Sequence, residues 1–228
     1  MPPRIPTQAD FTPLQSTLPL TTHFPSPPES TTAILILLHG LGDSEIPFAS
    51  FARSLNLPGV LAISVRGTSP LPPSLIDDSV TGPHSHWGDD LTLDSTTGEL
   101  DPDPGFKRAS ERLMNELIRG VIIDKCGWEM SDVLVFGFGQ GGSLALGMGM
   151  QHTLKGVVTI GGGVPRSMAG GKSDTFVLAC QVDGMEEDLR RWFTNVQIVK
   201  WKGGVRMPRD REEVFPLMKF FADRLRSF

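Results

Sequence analysis

Six short apolar runs recur along the chain: AILILL at 33–38, VLAISV at 60–65, VLVFGF at 133–138, GVVTI at 156–160, TFVLAC at 175–180 and VQIVKW at 196–201. They are continuous rather than cleanly alternating. Such runs predict strands covered on both faces, as in a parallel sheet held between two helical layers. A weaker edge strand is expected around Leu18–Phe24. Helical periodicity lies between the runs. After DPDPGF, Asp103 is placed to cap a helix and Pro104 to occupy its first turn. Phe106, Ala109, Leu113, Leu117 and Val121 follow at spacings of three and four, with Arg, Glu and Lys between them. A last helix over about 210–225 opens on the box-like pair Asp210 and Glu213, and Pro216 is expected to restrict or kink its start. Strand and helix alternate, so the predicted fold is α/β, with a mostly parallel central sheet and helices on both faces.

The segments between these elements set the domain organisation. Residues 1–30 hold many prolines (PPRIP, FPSPPES) and predict a loosely structured lead-in. Residues 31–228 predict one domain without an internal repeat. Within it, 66–103 is a long Pro- and Asp-rich excursion, expected to cover the site. A length of 228 residues with 39% apolar content is enough for a substantial core.

Charge and cysteine content narrow the function classes. A net charge of −5 carries no basic excess, so nucleic acid is not an expected partner. From Asp77 to Asp103 there are eight carboxylates and no Lys or Arg. That stretch is expected to be a solvated loop, with a protein-partner surface as the alternative. Cys126 and Cys180 are too few for a disulfide framework and are expected to be buried apolar filler. The opening MPPRIPTQADFTP lacks the apolar centre of a signal peptide, and no apolar run approaches 18 residues. No membrane span is expected, and the expected location is cytoplasmic.

The chemistry concentrates at VLVFGFGQGGSLALG, residues 133–147, where an apolar strand enters a glycine-rich turn and a small-residue helix leaves it. A hydrolase nucleophile elbow has this shape and reads G-x-S-x-G. Here Gly137 and Gly141 hold the outer positions, and Gly139 stands where the serine would be. A second glycine motif, LLHGLGDSE at 37–45, follows an earlier strand. The two together resemble the acyl-protein thioesterase and phospholipase/carboxylesterase family of the α/β-hydrolases. HSHWGDD around Trp87, GGGVP after the next strand and Asp183 beyond VLACQ extend the resemblance from about Leu35 to the end.

That resemblance implies an α/β-hydrolase fold, acyl-transfer chemistry and no cofactor. It also implies oxyanion-binding main-chain amides at Leu41 and Gln140, with Trp87 lining the pocket or wedging the loop against the sheet. The triad is incomplete. Gly139 has no side chain, and Asp183 is the only matching member. The five histidines (His23, His39, His84, His86, His152) all precede it. Arg206, in WKGGVRMP, stands at the point of the family histidine, and a guanidinium stays protonated near neutral pH. Losing the nucleophile or the histidine costs roughly 10⁶ in turnover. Two separate losses fit drift better than one engineered substitution.

The expected function is therefore a non-catalytic relative that binds an acyl chain, an acylated protein or a protein partner. The alternative is a carboxylic-ester or thioester hydrolase with an unconventional site built on Cys180, Ser143 or a loop histidine. A third reading is a subunit of a larger assembly that docks through the acidic segment. His84 and His86 with Asp89 or Asp90 lack a helix or strand frame, so no metal site is expected.

Overall fold

A computed structural model describes residues 3–76, 82–92, 100–168 and 170–226. In chain order the elements are α1 (Gln8–Phe11), β1 (Leu20–His23), β2 (Ala33–Leu38), α2 (Glu45–Leu55), β3 (Val60–Val65), β4 (Ser69–Pro70), β5 (Ser85–His86) and α3 (Lys107–Arg112). After α3 the helix continues over Leu113–Ile123 with wider, π-type turns. There follow β6 (Val133–Phe138), α4 (Gln140–Gln151), β7 (Gly156–Ile160), β8 (Ser173–Cys180), α5 (Glu186–Trp192), β9 (Phe193–Val199) and α6 (Arg211–Leu225).

Seven strands form one sheet in the order β1-β3-β2-β6-β7-β8-β9. All neighbours run parallel except β1, which closes one edge antiparallel to β3. The sheet explains the continuous apolar runs. Ile34, Ile36 and Leu38 of β2 enter the core on one face, with the 107–123 helix and α4. Ala33, Leu35 and Leu37 enter the core on the other, with α2 and α6. A strand covered by helices on both sides has no solvent face, so no polar alternation remains. The central β2, β3, β6 and β7 take the bounds that the sequence predicts, whereas β9 starts three residues earlier than VQIVKW.

Two expectations need correction. The lead-in is not loose. Phe11 and Leu18 are fully buried in the core, Arg4 grips buried Asp10 through both guanidinium ends at 2.8 Å, and the Trp128 indole N–H donates to the Arg4 carbonyl at 2.8 Å. This proline-rich segment is a strap packed on the core. The second correction concerns the cap of α3. That helix begins at Lys107, and its first amides donate to Asp89, at 2.9 Å from Lys107 and 2.8 Å from Arg108. Asp103 accepts instead from the amide of Ser167 at 2.9 Å. A carboxylate eighteen residues upstream does what the adjacent one was expected to do. The final helix starts as predicted, with Asp210 accepting from the Glu213 amide at 2.9 Å and Pro216 inside it. Of the covering loop and its acidic segment, residues 77–81 and 93–99 lie outside the described residues.

Candidate functional site

Between β6 and α4 the chain turns at Gly139 with φ 51° and ψ −121°. Side chains rarely adopt this left-handed backbone, and enzymes tolerate its strain where a nucleophile must be presented. Close packing fixes the flanking glycines. A Cβ on Gly137 would strike the Gly141 carbonyl, and one on Gly141 the carbonyls of Leu38 and His39. At Gly139 the space is open: a Cβ there would find only the Gly40 Cα within 4 Å, at 3.9 Å. The elbow is built, and nothing but main chain stands at its tip.

The HGLG loop faces it. His39 is fully buried, and its ring takes part in three hydrogen bonds. Its Nε2 accepts from the Gly67 amide at 2.8 Å and the Ser85 hydroxyl at 3.0 Å. An amide can only donate, so the ring proton sits on Nδ1 and donates to the Gly40 carbonyl at 2.6 Å. Burial holds this imidazole below its ordinary range, and it stays neutral. The Gly42 amide donates to the Ser85 carbonyl at 2.9 Å. The amides of Leu41 and Gln140 have no hydrogen-bond partner among the described residues. Trp87 is fully buried and stays out of the cavity. Its indole donates to the His39 carbonyl, and its amide to the Gln140 side-chain oxygen, both at 2.8 Å.

A cavity of about 560 Å³ opens at the elbow, walled by Leu41, Gly139, Gln140, Ser143, Val164 and Met185 among others. Leu41 and Leu100 also border a neighbouring apolar hollow of about 290 Å³, which holds His84. The structure does not bring the remaining predicted groups into the larger cavity. Asp183 follows β8 as expected, but its carboxylate is 78% exposed and pairs with Lys200 at 2.5 Å. From that turn it is Met185 and Asp188 that reach the cavity wall. Arg206 turns away into a bidentate pair with Glu213 at 2.6 and 2.5 Å, and Val205 packs its methyls against Gly161 on the cavity rim. Neither Met185 nor Val205 is a residue type that signals chemistry in a sequence.

The other candidate nucleophiles and ligands are equally constrained. Cys180 is fully buried in the sheet, and burial pushes its thiol up to about 12. Cys126 is also buried, and burial raises its thiol as well. Ser143 is 5% exposed, one turn into α4. The His84 Nδ1–H donates to the Gly42 carbonyl at 2.8 Å. His86 is buried, and burial together with Arg108 lowers its basicity. His152 ends the far side of α4. Among the described residues no three His, Cys, Asp or Glu gather to hold a metal, and no helix is long and apolar enough to cross a membrane.

A parallel sheet, a glycine elbow at a strand end and a facing amide loop define the α/β-hydrolase scaffold. The phospholipase/carboxylesterase family profile matches residues 22–185, and the chain belongs to that family. By fold and family it is a phospholipase/carboxylesterase-like member of the α/β-hydrolases. An uncharacterised hydrolase of Schizosaccharomyces pombe is 34% identical over 139 residues, 59% of this chain and 55% of that protein. Another from Mycosarcoma maydis is 32% identical over 129 residues, 54% and 44% of the two. The matched segment thus spans about half the length of these relatives. Among solved structures, acyl-protein thioesterase 2 of Zea mays superposes with a TM-score of 0.62 at 20% identity, covering 90% of this chain and 98% of its own. A Bacillus cereus carboxylesterase gives 0.62 at 18% identity, over 92% and 97%. SOBER1 of Arabidopsis thaliana gives 0.64 at 16%, over 85% and 99%.

Proposed function

We propose that this chain is a non-catalytic relative of the acyl-protein thioesterases and carboxylesterases, retaining the site as a pocket for an acyl chain or acylated peptide. One observation carries the reading: the backbone at position 139 has the elbow conformation and room for a side chain, yet carries none. The rest of the apparatus agrees. Asp183 is spent on Lys200 at the surface and Arg206 on Glu213. The sequence has no histidine after His152. An oxyanion-binding amide pair without a nucleophile or base leaves about 10³–10⁴ over water, against the further factor of about 10⁶ that a working triad supplies.

The unconventional-hydrolase reading loses support at Cys180, whose thiol is sealed and protonated, and at Ser143, which has no imidazole partner among the described residues. The test is direct. The purified protein is assayed with p-nitrophenyl esters and a palmitoyl thioester, and treated with a fluorophosphonate reagent. Background rates and no labelling are expected. Turnover that the reagent abolishes overturns the proposal.

A further inference from the structure

We infer that the bare elbow takes a free carboxylate, the acid of an acyl chain rather than its ester; this rests on the non-catalytic reading above. In a working enzyme of this fold the acyl carbonyl places one oxygen on the amide pair, and the nucleophile's oxygen arrives beside it. Here position 139 supplies no side-chain atoms, and the volume of a hydroxymethyl group is open to the cavity. A carboxylate carries both oxygens itself. One meets the amides of Leu41 and Gln140, and the other enters the space that serine would fill.

The elbow side of the cavity offers hydrogen-bond donors. Gln140 opens α4, a twelve-residue helix whose first amides point outward with the positive end of its dipole. Ser143 supplies an independent observation. It lines the same cavity and is 95% buried, and its hydroxyl makes no hydrogen bond with any described residue. Lining the cavity, this hydroxyl can donate its hydrogen bond to a ligand oxygen. The Arg166 guanidinium also borders the cavity and has no ion-pair partner among the described residues. Bonds from such donors to an ionised oxygen are about twice as strong as to a neutral carbonyl, so the acid is favoured over the ester.

The acidic side chains of the lining set the charge limit. Asp101, Asp103 and Asp188 border the cavity, and Asp103 is already engaged by the amide and hydroxyl of Ser167. Three carboxylates repel a second negative charge on the ligand, so a monocarboxylate fits where a phosphate monoester does not.

Calorimetric titration of the full chain with octanoate, methyl octanoate and octyl phosphate tests this. Octanoate is expected to bind about tenfold or more tighter than either of the others. Ser143→Ala should weaken octanoate about tenfold and leave methyl octanoate unchanged. Gly139→Ser, which refills the space, should also weaken octanoate, with thermal melts verifying that both variants fold. Equal binding of acid and ester, tighter binding of octyl phosphate, no binding of any probe, or an unaltered octanoate affinity in Ser143→Ala overturns the inference. Hydrolysis of methyl octanoate would instead overturn the non-catalytic reading on which it rests.

Discussion

Gly139 donates its N–H to the Ile160 carbonyl at 2.8 Å, and this bond ties the bare corner to the end of β7. The chain that continues from Ile160 forms the cavity wall at Gly161 and Gly163, so one hydrogen bond links the corner to the start of that wall. The elbow persists because the sheet holds it, whatever residue occupies its tip.

The three glycines of the elbow should therefore respond differently to substitution. Gly139→Ala and Gly139→Ser meet strain but no clash, and should cost about 1–3 kcal/mol. Gly137→Ala and Gly141→Ala push a methyl into main-chain carbonyls and should cost more, to the point of preventing folding. Urea unfolding of the four variants checks the order, and a Gly139 variant less stable than the other two would contradict it. Gly139→Ser should also gain no measurable esterase turnover, since no imidazole faces it.

Trp87 holds the amide loop against the elbow through the His39 carbonyl and the Gln140 side chain. Trp87→Ala should cost about 3–5 kcal/mol, as for other fully buried aromatic residues. Trp87→Phe keeps most of the volume but strands the His39 carbonyl, and about 1–3 kcal/mol is expected. Equilibrium denaturation measures both. A Trp87→Ala protein as stable as the parent would show that the loop is held by something else.

Cysteine reactivity separates the non-catalytic reading from a hydrolase built on Cys180. With its thiol pushed up to about 12, Cys180 has almost no thiolate at pH 8, and Cys126 is shifted in the same direction. Neither should react with dithionitrobenzoate in the native protein, and both should react in denaturant. A fast-reacting thiol in the native state, lost in Cys180→Ala, would revive the cysteine as a nucleophile.

What the sequence revealed and what it hid follow from physical range. Strand runs such as AILILL are legible because a strand buried on both faces admits apolar residues at every position, a purely local demand. The elbow was legible through its glycine spacing, although only Gly137 answers a clash within the turn; Gly141 answers the carbonyls of Leu38 and His39 on the neighbouring strand. Long-range partners were not. Asp103 looked like the cap of α3, but Asp89 reaches that helix from a separate loop. Asp183 has the right place in the chain, yet Lys200 on the next strand end draws it to the surface. The prolines before residue 30 suggested looseness because composition says nothing of Asp10, whose partners Arg4 and Lys125 are 6 and 115 residues away.

That last cluster yields a pH prediction with a definite sign. Asp10 is buried, and it accepts both guanidinium ends of Arg4, the Lys125 ammonium at 2.8 Å and the Thr7 amide at 2.8 Å. The Arg4 bonds, more than any other contact, hold its carboxyl far below the usual carboxylate range. The unfolded chain binds a proton on this group near the ordinary value of about 3.9, whereas the folded chain does not. The stabilisation is therefore complete above about pH 5 and declines as pH falls below it. Asp10→Asn should cost about 2–3 kcal/mol at pH 7 by removing charge-assisted bonds. The gap in urea midpoint between parent and variant should then narrow steadily from pH 5 towards pH 2. A gap that stays constant over that range would mean that the strap is held by Phe11 and Leu18 packing alone, with no contribution from the charge.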